Sequence, residues 1–211
     1  MTVVCSSVVL HVVGFGEPTT KDVVAAGRAT TSGSVESVAR HLVLLGLMGA
    51  GKTSIGEVVA TRLGLPLLDG DELLAERTGG RTAAEISDDQ GLDRLHALEA
   101  DIALAALASA DPAVIGPASS VCESAAVRDA LDGHLVVWLR APVDQLAGRA
   151  VQQAHRPLLG CADPSVLLAR QLAIREPLVL PLAGLVVDVS TLNVDEAAEQ
   201  VVAFAAGEGL G

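Results

Sequence analysis

From Arg40 onward, short aliphatic runs alternate with longer amphipathic stretches, separated by regular punctuation. His41-Leu-Val-Leu-Leu45 is an aliphatic run that stops at a glycine-rich loop, which predicts a strand buried on both faces. Ile55, Val58, Val59 and Leu63 then recur at helical spacing over 53–63, and Gly64 supplies the stop. Pro66-Leu-Leu-Asp69 reads as a second strand with Asp69 and Asp71 at its carboxyl end. Helical patterns over 71–77, 82–87 and 91–109 lead to a third strand at 113–116 and a helix over 122–132. A fourth strand at 135–139 and a helix over 142–150 follow. A polar, arginine-bearing stretch at 151–162 then precedes a helix over 164–175, a fifth strand at 185–188 and a closing helix over 194–206. Strands alternating with helices imply an α/β fold with a parallel, doubly wound, five-stranded sheet.

Residues 1–39 break this rhythm. A Val-rich opening gives way to Gly14-Phe15-Gly16-Glu17-Pro18 and then to Ala, Thr, Ser and Gly up to Ser37. We read 1–39 as a poorly ordered N-terminal extension and 40–211 as one folded domain. With 211 residues, half of them hydrophobic, the chain can bury a sizeable core. Trp138, Phe15 and Phe204 are the only aromatic residues. The net charge of −12, with no basic cluster and almost no aromatic platforms, argues against a nucleic-acid partner. Cys5, Cys122 and Cys161 show no metal-ligand spacing and read as free thiols of a reducing compartment. No run approaches the ~20 apolar residues of a membrane span. The Val3 to Val13 run has no Lys or Arg ahead of it, as a secretory signal would. A cytoplasmic monomer with no membrane partner is expected.

The chemistry enters at Gly46-Leu-Met-Gly-Ala-Gly51-Lys52-Thr53, which fits GxxxxGK(S/T) at every fixed position. Glycines let backbone amides curl around a phosphate, and the following helix points its positive end at the same anion. Gly49, Ala50, Gly51, Lys52, Thr53 and Ser54 are therefore expected to hold the phosphates of ATP, with the Thr53 hydroxyl placed for Mg²⁺. Asp69 and Asp71 lie where strand ends face the ligand crevice. One carboxylate can hold the water shell of Mg²⁺ while the other accepts a hydrogen bond from a substrate hydroxyl. The alternative, a helix N-cap plus a loop carboxylate, stays open at this point.

From about Leu42 to Val202 the chain resembles the shikimate kinases, a family of P-loop small-metabolite kinases. The resemblance is carried by GLMGAGKTSIGEVVATRLGLPLLDGDELLAERTGG, the helix reaching Leu98-Glu99, AHRPLLG, IREPL and DVSTLNVDEAAEQVV. It implies a three-layer P-loop kinase fold with a mobile lid, ATP and Mg²⁺ as cofactors, and a small hydroxylated acceptor such as shikimate. By the same resemblance, Lys52 and Thr53 serve phosphate and metal, Asp69 supports the metal, and Asp71 binds the acceptor hydroxyl. Arg149 corresponds to an arginine lying against adenine. Arg156 matches the lid arginine over the transferring phosphoryl group, and Arg175 one that holds the substrate carboxylate. Cations on the phosphate oxygens are what a loose phosphoryl-transfer transition state needs.

The departures from the family cluster on the acceptor side. Ala118-Ser119-Ser120 replaces a Gly-Gly-Gly turn, which is expected to narrow the pocket and strain a backbone suited to glycine. His96 replaces a carboxylate-clamping arginine, and imidazole cannot form the bidentate guanidinium fork. Ser87 and Val179 replace a pocket Phe and Tyr. Losing one such contact costs ~1.5–3 kcal/mol, or about ten- to a hundred-fold in binding. Ser119 and Ser120 are candidates to hydrogen-bond an acceptor in place of the lost groups. Three readings follow: a shikimate-type kinase, a kinase of another polyol such as gluconate, or a diverged nucleotide-binding module without activity.

Overall fold

The computed structural model describes residues 39–150 and 163–210. The expected N-terminal extension at 1–39 lies, but for Ala39, outside them, as do the lid stretch at 151–162 and its Arg156. Strand β1 (Leu42–Gly46) is buried at every residue. It sits at the centre of a fully parallel sheet in the order β2-β3-β1-β4-β5, with β2 Leu67–Asp69, β3 Val114–Gly116, β4 Leu135–Arg140 and β5 Leu185–Asp188. Helices cover both faces, so the inner strands carry no alternation of polar residues. Of the edge strands, β2 is partly exposed and β5 half-exposed.

Right-handed crossovers assign the layers. Helix α1 (Lys52–Leu63) carries the chain from β1 past β3 to β2, and it packs against the closing helix α8 (Val194–Gly207) on one face. On the other face lie α2 (Gly70–Thr78), α3 (Ala83–Gln90), α4 (Leu92–Leu107), α5 (Ala125–Ala130), α6 (Val143–Ala150) and α7 (Pro164–Val179). The chain leaves β1 in one direction and β3 in the other. The switch point, where α/β sheets bind ligands, therefore falls between the carboxyl ends of β1 and β3.

The sequence pattern located every strand and the helices that matter for the site, with two differences. In place of one helix over 122–132, a 3-10 turn, Ser119–Glu123, reaches into that range and the short α5 follows. Ser124 separates them because its hydroxyl caps α5 by accepting from the Val127 amide. Helix α7 runs on to Val179 through Pro177, in the last turn, where the amide that proline lacks removes only one helical bond. Gly64 ends α1 as expected, at φ +67° with its N–H bonded to the carbonyls of Ala60 and Thr61. No helix among the described residues is long and apolar enough to cross a membrane.

At the opposite end of the sheet, the His41 amide donates to His134 Nδ1 at 3.1 Å, and the two rings lie 4.9 Å apart. Burial holds both imidazoles below their ordinary 6.5, and His134 is lowered further by His41 and Arg40. The unfolded chain takes up protons near 6.5 that the folded chain resists. This stabilisation is thus complete above that value and is lost as pH falls through the lowered folded values. The urea midpoint is expected to drop between pH 7.5 and 5.5. His134→Asn, which keeps an acceptor for the His41 amide, should flatten that slope, and equal slopes would show that the pair does not titrate.

Candidate functional site

The first motif glycine is required by packing. A Cβ on Gly46 would lie 2.9 Å from the Leu139 carbonyl oxygen of β4. The loop then turns through Gly49 at φ +82° and Gly51 at φ +87°, conformations that side chains disfavour. At Gly49 the constraint is doubled, because a Cβ would stand 2.5 Å from the Leu146 carbonyl oxygen of α6. Gly51 caps α1 without any side-chain hydrogen bond, and it and the first-turn residues Lys52, Thr53 and Ser54 line the crevice, where a helix start suits an anion. Ala50 departs from the expectation: it is 1% exposed, does not line the cavity, and its amide bonds Leu47 O at 3.1 Å inside the loop. Its contribution is to the shape of the loop.

Lys52 lies along the same loop, with Nζ donating to the Gly46 carbonyl at 2.9 Å. The Thr53 hydroxyl donates to Asp69 Oδ2 at 2.8 Å, while Asp69 Oδ1 accepts from the amides of Asp71 at 2.8 Å and Glu72 at 3.4 Å. Asp69 is therefore the N-cap of α2, and it also ties that helix to the P-loop helix. The two readings left open for it are compatible. Lys52, Thr53, Ser54, Asp69 and Asp71 share one cavity of about 370 Å³, floored by Gly116, Pro117 and Ala118. The hard oxygens of Thr53 and Asp69 suit a magnesium ion, and the glycine cradle suits a polyphosphate.

A second recess of about 50 Å³ adjoins the first, and Met48 and Ser119 line both. His96, Glu99, Ser119, Ser120 and Arg175 converge there. Ser120 donates its hydroxyl to the buried Glu99 carboxylate. Arg175, 5% exposed, donates from Nε to Glu123 Oε1 at 2.7 Å and from Nη1 to Ser119 Oγ at 2.8 Å. The expected strain at Ala118-Ser119-Ser120 is absent. Ala118 has φ −58° and ψ 145°, and the serines lie in a 3-10 turn, so no glycine conformation is demanded. Ser119 and Ser120 line the recess. Beneath the turn, the Cys122 thiol donates to Ser119 O, and burial raises its pKa to about 11, which keeps it protonated and unreactive. Arg149 stands on α6 against the P-loop, with Nη2 donating to Val189 O at 3.1 Å just past β5.

Sequence reasoning missed Met48, Glu72 and Glu123 as site residues and gave Glu99 no role. Glu99 carried a signal: it falls on the stripe of Leu95, Ile102, Ala103 and Ala106, where a carboxylate needs a partner. Glu123 carried none.

The family model for shikimate kinase matches residues 48–206. The chain belongs to the shikimate kinase family. A shikimate kinase of Mesorhizobium japonicum is 40% identical over 139 residues, covering 65% of this chain and 68% of that one. One of Pseudomonas syringae pv. tomato is 37% identical over 150 residues, covering 71% and 86%. Among solved structures, the shikimate kinase from Acinetobacter baumannii in complex with shikimate superposes with a TM-score of 0.74 at 25% identity, covering 83% of this chain and 97% of that one. This member is thus a small-metabolite kinase with the P-loop kinase fold of its family.

As a shikimate kinase family protein, it should tolerate no side chain at the second loop glycine. Gly49→Ala is expected to lose about 1–3 kcal/mol from backbone strain, with more from the clash on Leu146. Gly207→Ala, in open space at the end of α8, should stay within about 1 kcal/mol of the parent. Denaturant unfolding of both variants checks the contrast.

Proposed function

We propose that this protein transfers the γ-phosphoryl group of Mg²⁺-bound ATP to a hydroxyl of a small metabolite, with shikimate the first acceptor to assay. The observation that supports this reading is the sharing of one crevice by Lys52, Thr53, Asp69 and Asp71, continuous through Ser119 with the recess of His96 and Arg175. Family membership supports it further.

Each residue then has a task. The amides of Gly49, Gly51, Lys52, Thr53 and Ser54 cradle the phosphates, and Lys52 swings from the Gly46 carbonyl onto their oxygens. Thr53 and Asp69 would hold the magnesium ion, whose charge would screen the phosphates. Asp71 accepts the hydrogen bond of the acceptor hydroxyl, orients its oxygen and takes up its proton as the phosphorus bond forms. Arg149 lies against adenine, helped by aliphatic packing. Arg156 closes over the moving phosphoryl group, a role that rests on the resemblance alone. His96, Ser119, Ser120 and Arg175 line the acceptor's side.

One observation favours the diverged nucleotide-binding module: Arg175 is already engaged by Glu123 and Ser119. Against it stands Asp71, which a protein that only holds nucleotide has no reason to present beside the phosphate cradle.

Coupled ADP release with shikimate, quinate, gluconate and cyclitols tests the proposal. Turnover on at least one acceptor is expected. Lys52→Met should lower kcat by about 10²–10³-fold, and Asp71→Asn by about 10²–10⁴-fold with Mg·ATP affinity nearly retained. Tight Mg·ATP binding without turnover on any acceptor selects the module instead.

A further inference from the structure

Resting on the phosphotransferase reading above, we infer that Glu123 is a specificity-determining residue: by neutralising Arg175 it turns the acceptor site from carboxylates toward uncharged polyols. Arg175 is the one guanidinium among the described residues lining the recess. It is 5% exposed and bonded at two points, to the Glu123 carboxylate at 2.7 Å and to the Ser119 hydroxyl at 2.8 Å. Ser119 and Glu123 are the first and last residues of a single 3-10 turn, so this short element wraps the guanidinium. The Glu123 side chain is 38% exposed and caps the arginine from the solvent side.

An acceptor carboxylate entering the recess meets a cation whose charge is already balanced. Glu123 holds the Nε edge of Arg175 from outside the recess lining, so the ligand carboxylate would share the guanidinium with it, and two carboxylates on one buried guanidinium repel. Among the described residues no second guanidinium lines the recess, and His96 stands there on helix α4. An uncharged polyol escapes this penalty. Its hydroxyls can pair with the Ser119 and Ser120 oxygens and with the Gln171 amide, which lines the same recess. Asp71, in the adjoining cavity, is unaffected by the exchange, so the reacting hydroxyl is handled as before.

The test compares shikimate with its carboxamide, a matched pair differing in charge. Both are titrated calorimetrically into protein loaded with Mg²⁺ and a non-hydrolysable ATP analogue, for the parent, Glu123→Gln and Glu123→Asp. The parent is expected to bind the carboxamide at least as tightly as the carboxylate. Glu123→Gln should raise the carboxylate-to-carboxamide affinity ratio about tenfold, the factor of one unmasked charged hydrogen bond, and Glu123→Asp should restore the parent's ratio. A general loosening of the pocket would move both ligands together and leave the ratio unchanged. A parent that favours the carboxylate tenfold, an unchanged ratio in Glu123→Gln, or binding of neither ligand overturns the inference. Should Glu123→Gln fail to fold, the parent's preference still decides. The readout is binding, so failure of the phosphotransferase reading shows separately, as a bound acceptor that is never phosphorylated.

Discussion

The site depends on one carboxylate. Asp69 is 6% exposed at the end of β2, and each of its oxygens is committed: one caps α2 through the Asp71 and Glu72 amides, the other takes the Thr53 hydroxyl. A buried carboxylate needs such partners, because leaving it without them costs several kcal/mol. Its satisfaction therefore fixes the P-loop helix relative to β2 and sets the first turn of α2, on which Asp71 sits. Register carries the constraint further. Asp69 pairs with Gly116 across the β2–β3 ladder, so the floor of the cavity is positioned by the same residue.

The two halves of the crevice are made of different materials. The nucleotide half is backbone, with glycines at +82° and +87° and a helix start without a side-chain cap. Such a surface is intolerant of substitution at a few positions and indifferent elsewhere. The recess, the proposed acceptor half, is side chains: an ion pair, two serines, a buried glutamate and a histidine. It can be rewritten without disturbing the sheet, because α4 and α7 each pack on the 3-10 turn there. A family member can therefore keep its fold and its phosphate loop while its acceptor chemistry changes.

Legibility followed the same division. The strands could be read because burial on both faces leaves continuous aliphatic runs, and the phosphate loop because its glycines obey a fixed spacing. Asp69 and Asp71 were visible from their place after a strand. The strand order was not, since nothing local encodes which strands pair. The Arg175–Glu123 pair joins residues 52 positions apart and left no periodic trace. The 3-10 turn Ser119–Glu123 was missed because its last residues merged with the apparent helix at 122–132, and only Ser124 marks the break. The strain anticipated at Ala118 came from assuming that a glycine-rich turn keeps its dihedrals when the glycines are gone. Here the chain takes ordinary ones instead.

That exchange of glycines for serines has a consequence for the whole recess. Ser119 accepts from Arg175 and Ser120 donates to Glu99, so each new hydroxyl serves a buried charge on a different helix, α7 and α4 respectively. Three glycines offer amides to an acceptor but no side chain to these charges, which would then need solvent or substrate as a partner. With the serines in place, the guanidinium and the carboxylate are hydrogen-bonded within the protein itself. The recess is thereby preorganised, which lowers the ordering cost of binding. On the proposed reading, an acceptor would bind this recess through hydroxyl hydrogen bonds and fit, while the charge for phosphoryl transfer would lie across Met48 and Ser119, in the cavity of Lys52, Thr53 and Asp69.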